Sequence, residues 1–257
     1  MLAAIIWGLV QGLTEFLPIS SSGHLVIVPE FLDALGFDIA PPSLAVSAVL
    51  HLGTLLAVIV YFREDLLKVV RFRDNPEGRK IAVLVGVGTI PAVVGLPLRD
   101  QIENLQEDVT KVGFALIATG VILVIGQLFA RGARQLIEGR IPDALVVGVA
   151  QAFALIPGIS RSGITISAAN SQGFEPTQSA RFSFLLGIPA IAGAGLISLP
   201  ALFEAGTSGW NLAMGLVVAA ISGYAAIAVL LASLRRIGLI PFAVYCFIIG
   251  GLTVSFL

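Results

Sequence analysis

Charge is scarce in this chain, and cysteine is scarcer. Asp, Glu, Lys and Arg make up 12% of the 257 residues, about half the ~25% of an ordinary soluble domain. Hydrophobic residues make up 57% and the mean hydropathy is +0.98, so the chain reads as an integral membrane protein. The net charge is −1, and no basic tract is interleaved with aromatics, which excludes nucleic-acid binding and disorder. A single cysteine, Cys246, excludes an internal disulfide and a thiolate metal site; in its apolar run it reads as a small buried hydrophobe. The N-terminal stretch MLAAIIWGLVQGLTEFLPIS lacks a basic leader region, and Glu15 interrupts its apolar part, so it is expected to stay in the mature chain. No polar connection, 63–79 being the longest, is long enough to fold as a soluble domain.

What is present in quantity is apolar sequence of spanning length, about 20 residues per crossing. Six segments qualify: 43–62, 80–98, 112–130, 181–203, 210–234 and 238–257. Residues 1–30 and 141–172 are equally apolar but are broken near the middle by Pro, Gly and polar residues, at 18–23 and 157–163. Irregular backbone at membrane depth is tolerated only where protein or a wet cavity satisfies it, so both are expected to be re-entrant helix-turn-helix elements. The charges agree with that layout. Arg63, Lys68, Arg71, Arg73, Arg79, Lys80, Arg131, Arg134, Arg140, Arg181, Arg235 and Arg236 all fall on one side, cytoplasmic by the positive-inside rule. Arg99 and Lys111 fall on the other, with Glu30, Asp33, Asp38, Asp100, Glu103, Glu107, Asp108 and Glu204.

The two broken segments repeat each other. QGLTEFLPISSSGH, 11–24, and GVAQAFALIPGISRSGIT, 148–165, keep Gly8/Gly148, Gln11/Gln151, Ser20/Ser160, Ser22/Ser162 and Gly23/Gly163 at a constant offset of 140. Ser21 stands where the second copy has Arg161, Glu15 where it has Leu155, and His24 where it has Ile164. Each half is then one re-entrant pair plus three spans, an odd number of crossings that inverts the second half. The expected fold is an all-α integral membrane protein, a single membrane domain over 1–257, with six transmembrane helices and two re-entrant segments in an inverted-topology repeat. Its halves run approximately 1–130 and 141–257. Such repeats place a site near the midplane where they meet.

That site has a chemistry. A polar group unpaired in hydrocarbon costs about 2–7 kcal/mol, so these residues are expected to face a partner or a wet cavity. Gln11 and Glu15, four apart, share a helix face. Glu15 reads either as the ion-pair partner of Arg161 or as a general base or oxygen ligand of a divalent cation, Mg²⁺ or Ca²⁺, with Gln11 as a second ligand and phosphate oxygens completing the shell. The planar fork of Arg161 suits phosphate oxygens, and Ser160, Ser162, Thr165 and the turn amides add donors around the same anion. Ser20 or Ser22 reads as a helix cap, and Ser20 is also expected among the groups that bind the substrate. Ser21, with an imidazole three residues on, reads as a nucleophile or as the group that orients a water. His24 reads as partner of that nucleophile, as general acid for the leaving oxygen, or as a satisfied core histidine. His51, in the middle of the first span, either lines the same cavity or makes a structural hydrogen bond, and Glu64, Asp65 and Glu175 read as solvated interfacial charges.

The two motifs together resemble the undecaprenyl-diphosphate phosphatase family, the bacitracin-resistance type of membrane phosphatase. Its (E/Q)GxTEFLPxSSxGH and PGxSRSGxT segments are matched by Gln11–His24 and Pro157–Thr165. The resemblance implies removal of the terminal phosphate from an undecaprenyl diphosphate on the outer side of the plasma membrane, recycling the lipid carrier for cell-wall glycans. It places the functional residues at Gln11, Glu15, Ser21, His24, Ser160, Arg161 and Thr165. Gln11 takes the glutamine option of the first motif, and His51 stands where many relatives are expected to have glutamine. The implied partners are the polyprenyl diphosphate and membrane lipid, with no nucleic acid, and a homodimer is left open as the assembly. The rival from another class is a polyprenyl-phosphate flippase or transporter, which needs the anion site but no nucleophile.

Overall fold

The computed structural model describes residues 1–37, 39–98, 108–198 and 209–257. Among them are eleven α-helices and no strands beyond an isolated bridge between Arg134 and Phe174. In chain order they are α1 Leu2–Phe16, α2 Ser21–Ala34, α3 Leu44–Tyr61, α4 Arg63–Val70, α5 Pro76–Gly95 and α6 Val109–Leu128. After them come α7 Ile141–Phe153, α8 Arg161–Ser171, α9 Pro176–Ser198, α10 Gly209–Arg236 and α11 Ile240–Phe256.

Five of these are long and apolar enough to cross a membrane: Leu44–Tyr61, Pro76–Gly95, Val109–Leu128, Pro176–Leu196 and Gly209–Arg236. The sixth expected span, 238–257, forms α11, whose 17 residues cover only about 25 Å at 1.5 Å per residue. Large apolar side chains such as Leu9, Ile125, Leu128, Ile221 and Val229 are exposed on the helix surfaces. A water-soluble surface rarely carries so much apolar area; on an integral membrane protein it faces lipid. Of the charges assigned to the acidic side, Asp38, Arg99, Asp100, Glu103, Glu107 and Glu204 lie outside the described residues.

Both broken segments do break, for local reasons. Leu17 precedes Pro18, which disfavours the helical region for it; its φ/ψ of −65/142 ends α1. Ser20 then caps α2 by accepting from the Gly23 amide at 3.3 Å. Its φ of 72 makes it the one non-glycine residue with positive φ among the described residues, a conformation that costs of order 1–3 kcal/mol and persists only where surroundings hold it. In the second break Gly158 has φ 91, and a Cβ there would lie 2.8 Å from the Val112 carbonyl oxygen and 2.6 Å from Ala115 Cβ. Ser160 caps α8 from the Gly163 amide at 3.1 Å. The breaks meet tip to tip: a Cβ on Gly23 would sit 3.2 Å from Gly158 Cα, and Ser162 Oγ donates to the Leu17 carbonyl at 3.2 Å.

α1 packs against α10 and α7 against α5, while α3 faces α9 and α6 faces α11. Exchanging the chain's halves maps this set of pairs onto itself. Gly8 and Gly148 make matching crossings. A Cβ on Gly8 would lie 2.9 Å from the Gly215 carbonyl oxygen on α10, and one on Gly148 would lie 2.4 Å from that of Gly88 on α5. Small residues at crossings let backbones approach closely where lipid gives no hydrophobic drive to associate.

At one end of the bundle Arg181 on α9 pairs with Asp65 on α4 and with Glu77 on α5 at 2.8 Å, while Lys68 holds Glu77 at 2.9 Å. Asp65 is buried, so it is a structural ion-pair partner rather than the solvated charge expected. Glu175 likewise accepts from the Thr177 hydroxyl and from the Gln178 amide at the start of α9.

Candidate active site

The two tips border a cavity of about 200 Å³ whose polar wall includes Glu15, Ser20, Ser21, Ser22, His51, Gln151, Ser160 and Arg161. Glu15 is on the last turn of α1 and Arg161 opens α8, 146 residues later. Arg161 Nη2 donates to Glu15 Oε1 at 3.0 Å, and both side chains are largely buried. The other carboxylate oxygen, Oε2, accepts from Ser21 Oγ at 2.6 Å and from Gln11 Nε2 at 3.1 Å. The i,i+4 geometry expected of Gln11 and Glu15 is therefore present, and the acid, the hydroxyl and the guanidinium form one contiguous constellation.

Arg161 is held from behind. Its Nη1 donates to the Ser183 carbonyl at 3.3 Å, and the guanidinium lies over Gly187, where a Cβ would come within 2.1 Å of Nη1. Only a glycine leaves that space. Phe16, next to Glu15, packs edge-on against Phe184 at 5.5 Å, so α1 and α9 are fixed relative to each other beside the ion pair.

Other expected site residues divide between wall and support. Ser20 and Ser160 are on the wall and also cap their helices. Ser162 and Thr165, expected to bind the anion, are not on it. The Ser162 hydroxyl goes to Leu17, and Thr165, fully buried, donates to the Arg161 carbonyl at 2.6 Å and meets Ser183 Oγ at 2.6 Å. Both brace the turn that presents Arg161. Gln11 is also fully buried, beneath Glu15, and its Oε1 has no partner.

His24 departs furthest from the expected catalytic part. It is buried and absent from the wall. Its Nδ1 meets the Ser20 carbonyl at 2.7 Å and its Nε2 the Tyr245 hydroxyl at 2.8 Å, the two rings stacked at 5.6 Å. A carbonyl oxygen only accepts, so Nδ1 carries the proton and, in the neutral ring, Nε2 accepts from Tyr245. Both nitrogens are spent holding Ser20 in its left-handed conformation and pinning the tip to α11. On the opposite tip, Thr119 of α6 does the same work: its Oγ1 donates to the Gly158 carbonyl at 2.9 Å and accepts from the Ser160 amide at 3.1 Å.

His51 takes the place on the wall that His24 leaves. Its Nδ1 donates to the Ser47 carbonyl at 2.8 Å, the same i−4 contact, which leaves Nε2 without a partner among the described residues. Thr14 and Gln151 also border the cavity. Neither was singled out for chemistry in the sequence, although the 140-residue offset that pairs Gln151 with Gln11 was a signal that it would reach the same place. Nothing local marks Tyr245 or Thr119, whose contacts are made across 221 and about 40 residues.

No group of three or more His, Cys, Asp or Glu able to hold a metal occurs among the described residues. Of the two oxygen donors expected to hold a cation, Glu15 is on the wall and Gln11, with an unpartnered Oε1, lies buried beneath it; a single carboxylate suits a Mg²⁺ site in which substrate phosphate and water supply the remaining ligands.

Residues 4–252 match the family described as Bacitracin resistance protein BacA. An undecaprenyl-diphosphatase of Halothermothrix orenii is 42% identical, with 96% of this chain and 94% of that one covered. One of Pelobacter propionicus is 41% identical, covering 99% and 96%, and one of Syntrophotalea carbinolica 42% identical, covering 98% and 97%. The matched span runs nearly the whole length and contains both breaks: this chain belongs to the BacA family.

Proposed function

We propose that this protein hydrolyses a polyprenyl diphosphate, undecaprenyl diphosphate by its relatives, to the monophosphate and inorganic phosphate. The observation that carries the reading is the meeting of Arg161 with the Ser21–Glu15 pair in one cavity. A guanidinium fork supplies phosphate recognition, and a hydroxyl already bonded to a carboxylate supplies a nucleophile with its base.

In the proposed reaction Arg161 and the hydroxyls of Ser20 and Ser160 bind the phosphoryl oxygens. Ser21 Oγ attacks the terminal phosphorus and its proton passes to Glu15 Oε2. The bond to the bridging oxygen breaks, and its electron pair leaves with the lipid monophosphate. Water then attacks the phosphoserine, and inorganic phosphate departs as Ser21 regains a proton. Positioning and charge neutralisation supply most of the catalysis in phosphoryl transfer. A divalent cation, held by Glu15 and Gln11 together with phosphate oxygens, would add neutralisation of the developing charge. His24 sets the tip rather than moving a proton.

The two halves are proposed to form an inverted repeat, approximately 1–130 and 141–257. The reciprocal packing of α1 on α10 and α7 on α5 supports this, as do the matching crossings of Gly8 and Gly148. The membrane is proposed to be the plasma membrane, with the site opening to the extracytoplasmic side and the product returning to cell-wall glycan synthesis. The test is phosphate release from a polyprenyl diphosphate by detergent-solubilised protein, with no membrane and no gradient, using substrate labelled in the terminal phosphate. Release, with label trapped on Ser21 after acid quench, is expected. Anion-dependent lipid movement in vesicles without any release would instead identify a flippase.

A further inference from the structure

Gln151 borders the cavity, is 97% buried by its 3% exposure, and has no hydrogen-bond partner for either Nε2 or Oε1. Its twin shows why. Gln11, at the 140-residue offset, spends its Nε2 on Glu15, four residues along the same helix. The residue four beyond Gln151 is Leu155, so the carboxamide that positions the acid in the first half has nothing to position in the second. Buried polar groups in folded proteins are almost always paired, and leaving one unpaired costs about 1–3 kcal/mol. An amide with all its capacity unspent, on the wall of the cavity that Arg161 and Ser160 also line, is the mark of a ligand contact.

We infer that Gln151 is a binding residue for the diphosphate headgroup, donating from Nε2 to a non-bridging phosphoryl oxygen. The carboxamide offers two N–H donors and one acceptor, which suits a phosphate carrying anionic oxygens and, when singly protonated, a hydroxyl. Being neutral, it adds recognition without competing with Arg161 for Glu15, and it asks for no counter-charge in a low-dielectric site. The inference rests on the phosphatase reading above and names a contact that the motif residues do not provide.

A structural and a ligand-binding Gln151 respond oppositely to Gln151→Leu. Removing a carboxamide that no protein group satisfies leaves the unliganded fold as stable as the parent, or more so. If the amide serves only the fold through a partner, the same change lowers the melting temperature. The experiment measures three quantities on detergent-purified parent, Gln151→Leu and Gln151→Glu: melting temperature, affinity for methylenediphosphonate by titration calorimetry, and steady-state kinetics on polyprenyl diphosphate. For Gln151→Leu we expect an unchanged or raised melting temperature, affinity for the diphosphonate weaker by about tenfold, or ~1.4 kcal/mol, and a raised KM with kcat near the parental value. Gln151→Glu, which sets a carboxylate against the anion, is expected to bind more weakly still. Parental affinity in Gln151→Leu, a lowered melting temperature with parental affinity, or no binding of the diphosphonate by the parent overturns the inference. If the parent binds the diphosphonate through Gln151 but releases no phosphate from the lipid, the phosphatase reading fails and this contact stands.

Discussion

Beyond the chemical parts proposed for them, Glu15 and Arg161 are each the other's counter-charge inside a largely buried site. Removing one partner of a buried pair leaves an unpaired charge and costs about 3–5 kcal/mol, whereas replacing both with apolar residues is often neutral. Glu15→Gln is therefore expected to abolish phosphate release and lower stability by roughly that amount. Glu15→Leu combined with Arg161→Met is expected to recover the melting temperature but not the activity. Gly187→Ala tests the backing of the guanidinium: its Cβ would overlap Arg161 Nη1 at 2.1 Å, so turnover is expected to fall at least tenfold with a smaller loss of stability. If the cation proposal holds, EDTA abolishes activity and Mg²⁺ or Ca²⁺ restores it; full activity after exhaustive chelation would exclude it. At this scale the sequence was legible where chemistry is local. Gln11, Glu15, Ser21 and Arg161 came together as their spacing and motifs implied. His24 did not, because reaching back four residues to Ser20 turns its ring toward Tyr245, which lies 221 residues away and leaves no local mark.

Elements were legible at their breaks and less so at their ends. Pro18 and the Pro157–Gly158 pair interrupt apolar runs visibly, and α1 and α7 stop near them. Hydropathy, by contrast, marks where an apolar run begins, while caps mark where a helix begins. Asn75 accepts from the Gly78 amide at 2.9 Å, so α5 starts at Pro76 rather than near 80, with Glu77 inside it ready to meet Arg181. α11 is shorter than the apolar run that contains it because Gly238, at φ 71, and Leu239 still belong to the turn after α10. The second break depends on Gly158. Gly158→Ala must take φ 91 and meet Val112 and Ala115, and strain at such a position alone costs of order 1–3 kcal/mol. A melting temperature lowered by several degrees, with turnover falling further than stability, is expected. An unchanged melting temperature would show that the break relaxes without it.

For the molecule as a whole, composition identified the membrane class, and the 140-residue offset paired the two broken segments, whose tips do meet. What the sequence left out is how the halves interlock. α1 packs against α10 and α7 against α5, and the two tips are braced by α11 and α6, contacts that no single motif encodes. The proposed orientation has its own check. A cysteine placed at Arg131 in a Cys246→Ala background is expected to react with a membrane-impermeant thiol reagent only from the cytoplasmic side, and one at Asp108, at the other end of α6, only from outside; the reverse labelling would contradict the orientation. The central claim is that hydroxyl, acid and guanidinium from the two tips make a single phosphoryl-transfer site. Its most direct test is phosphate release from polyprenyl diphosphate by purified Ser21→Ala and Arg161→Ala proteins shown to be folded. Each is expected to fall at least a hundredfold below the parent. Release at the parental rate by either one would contradict the account.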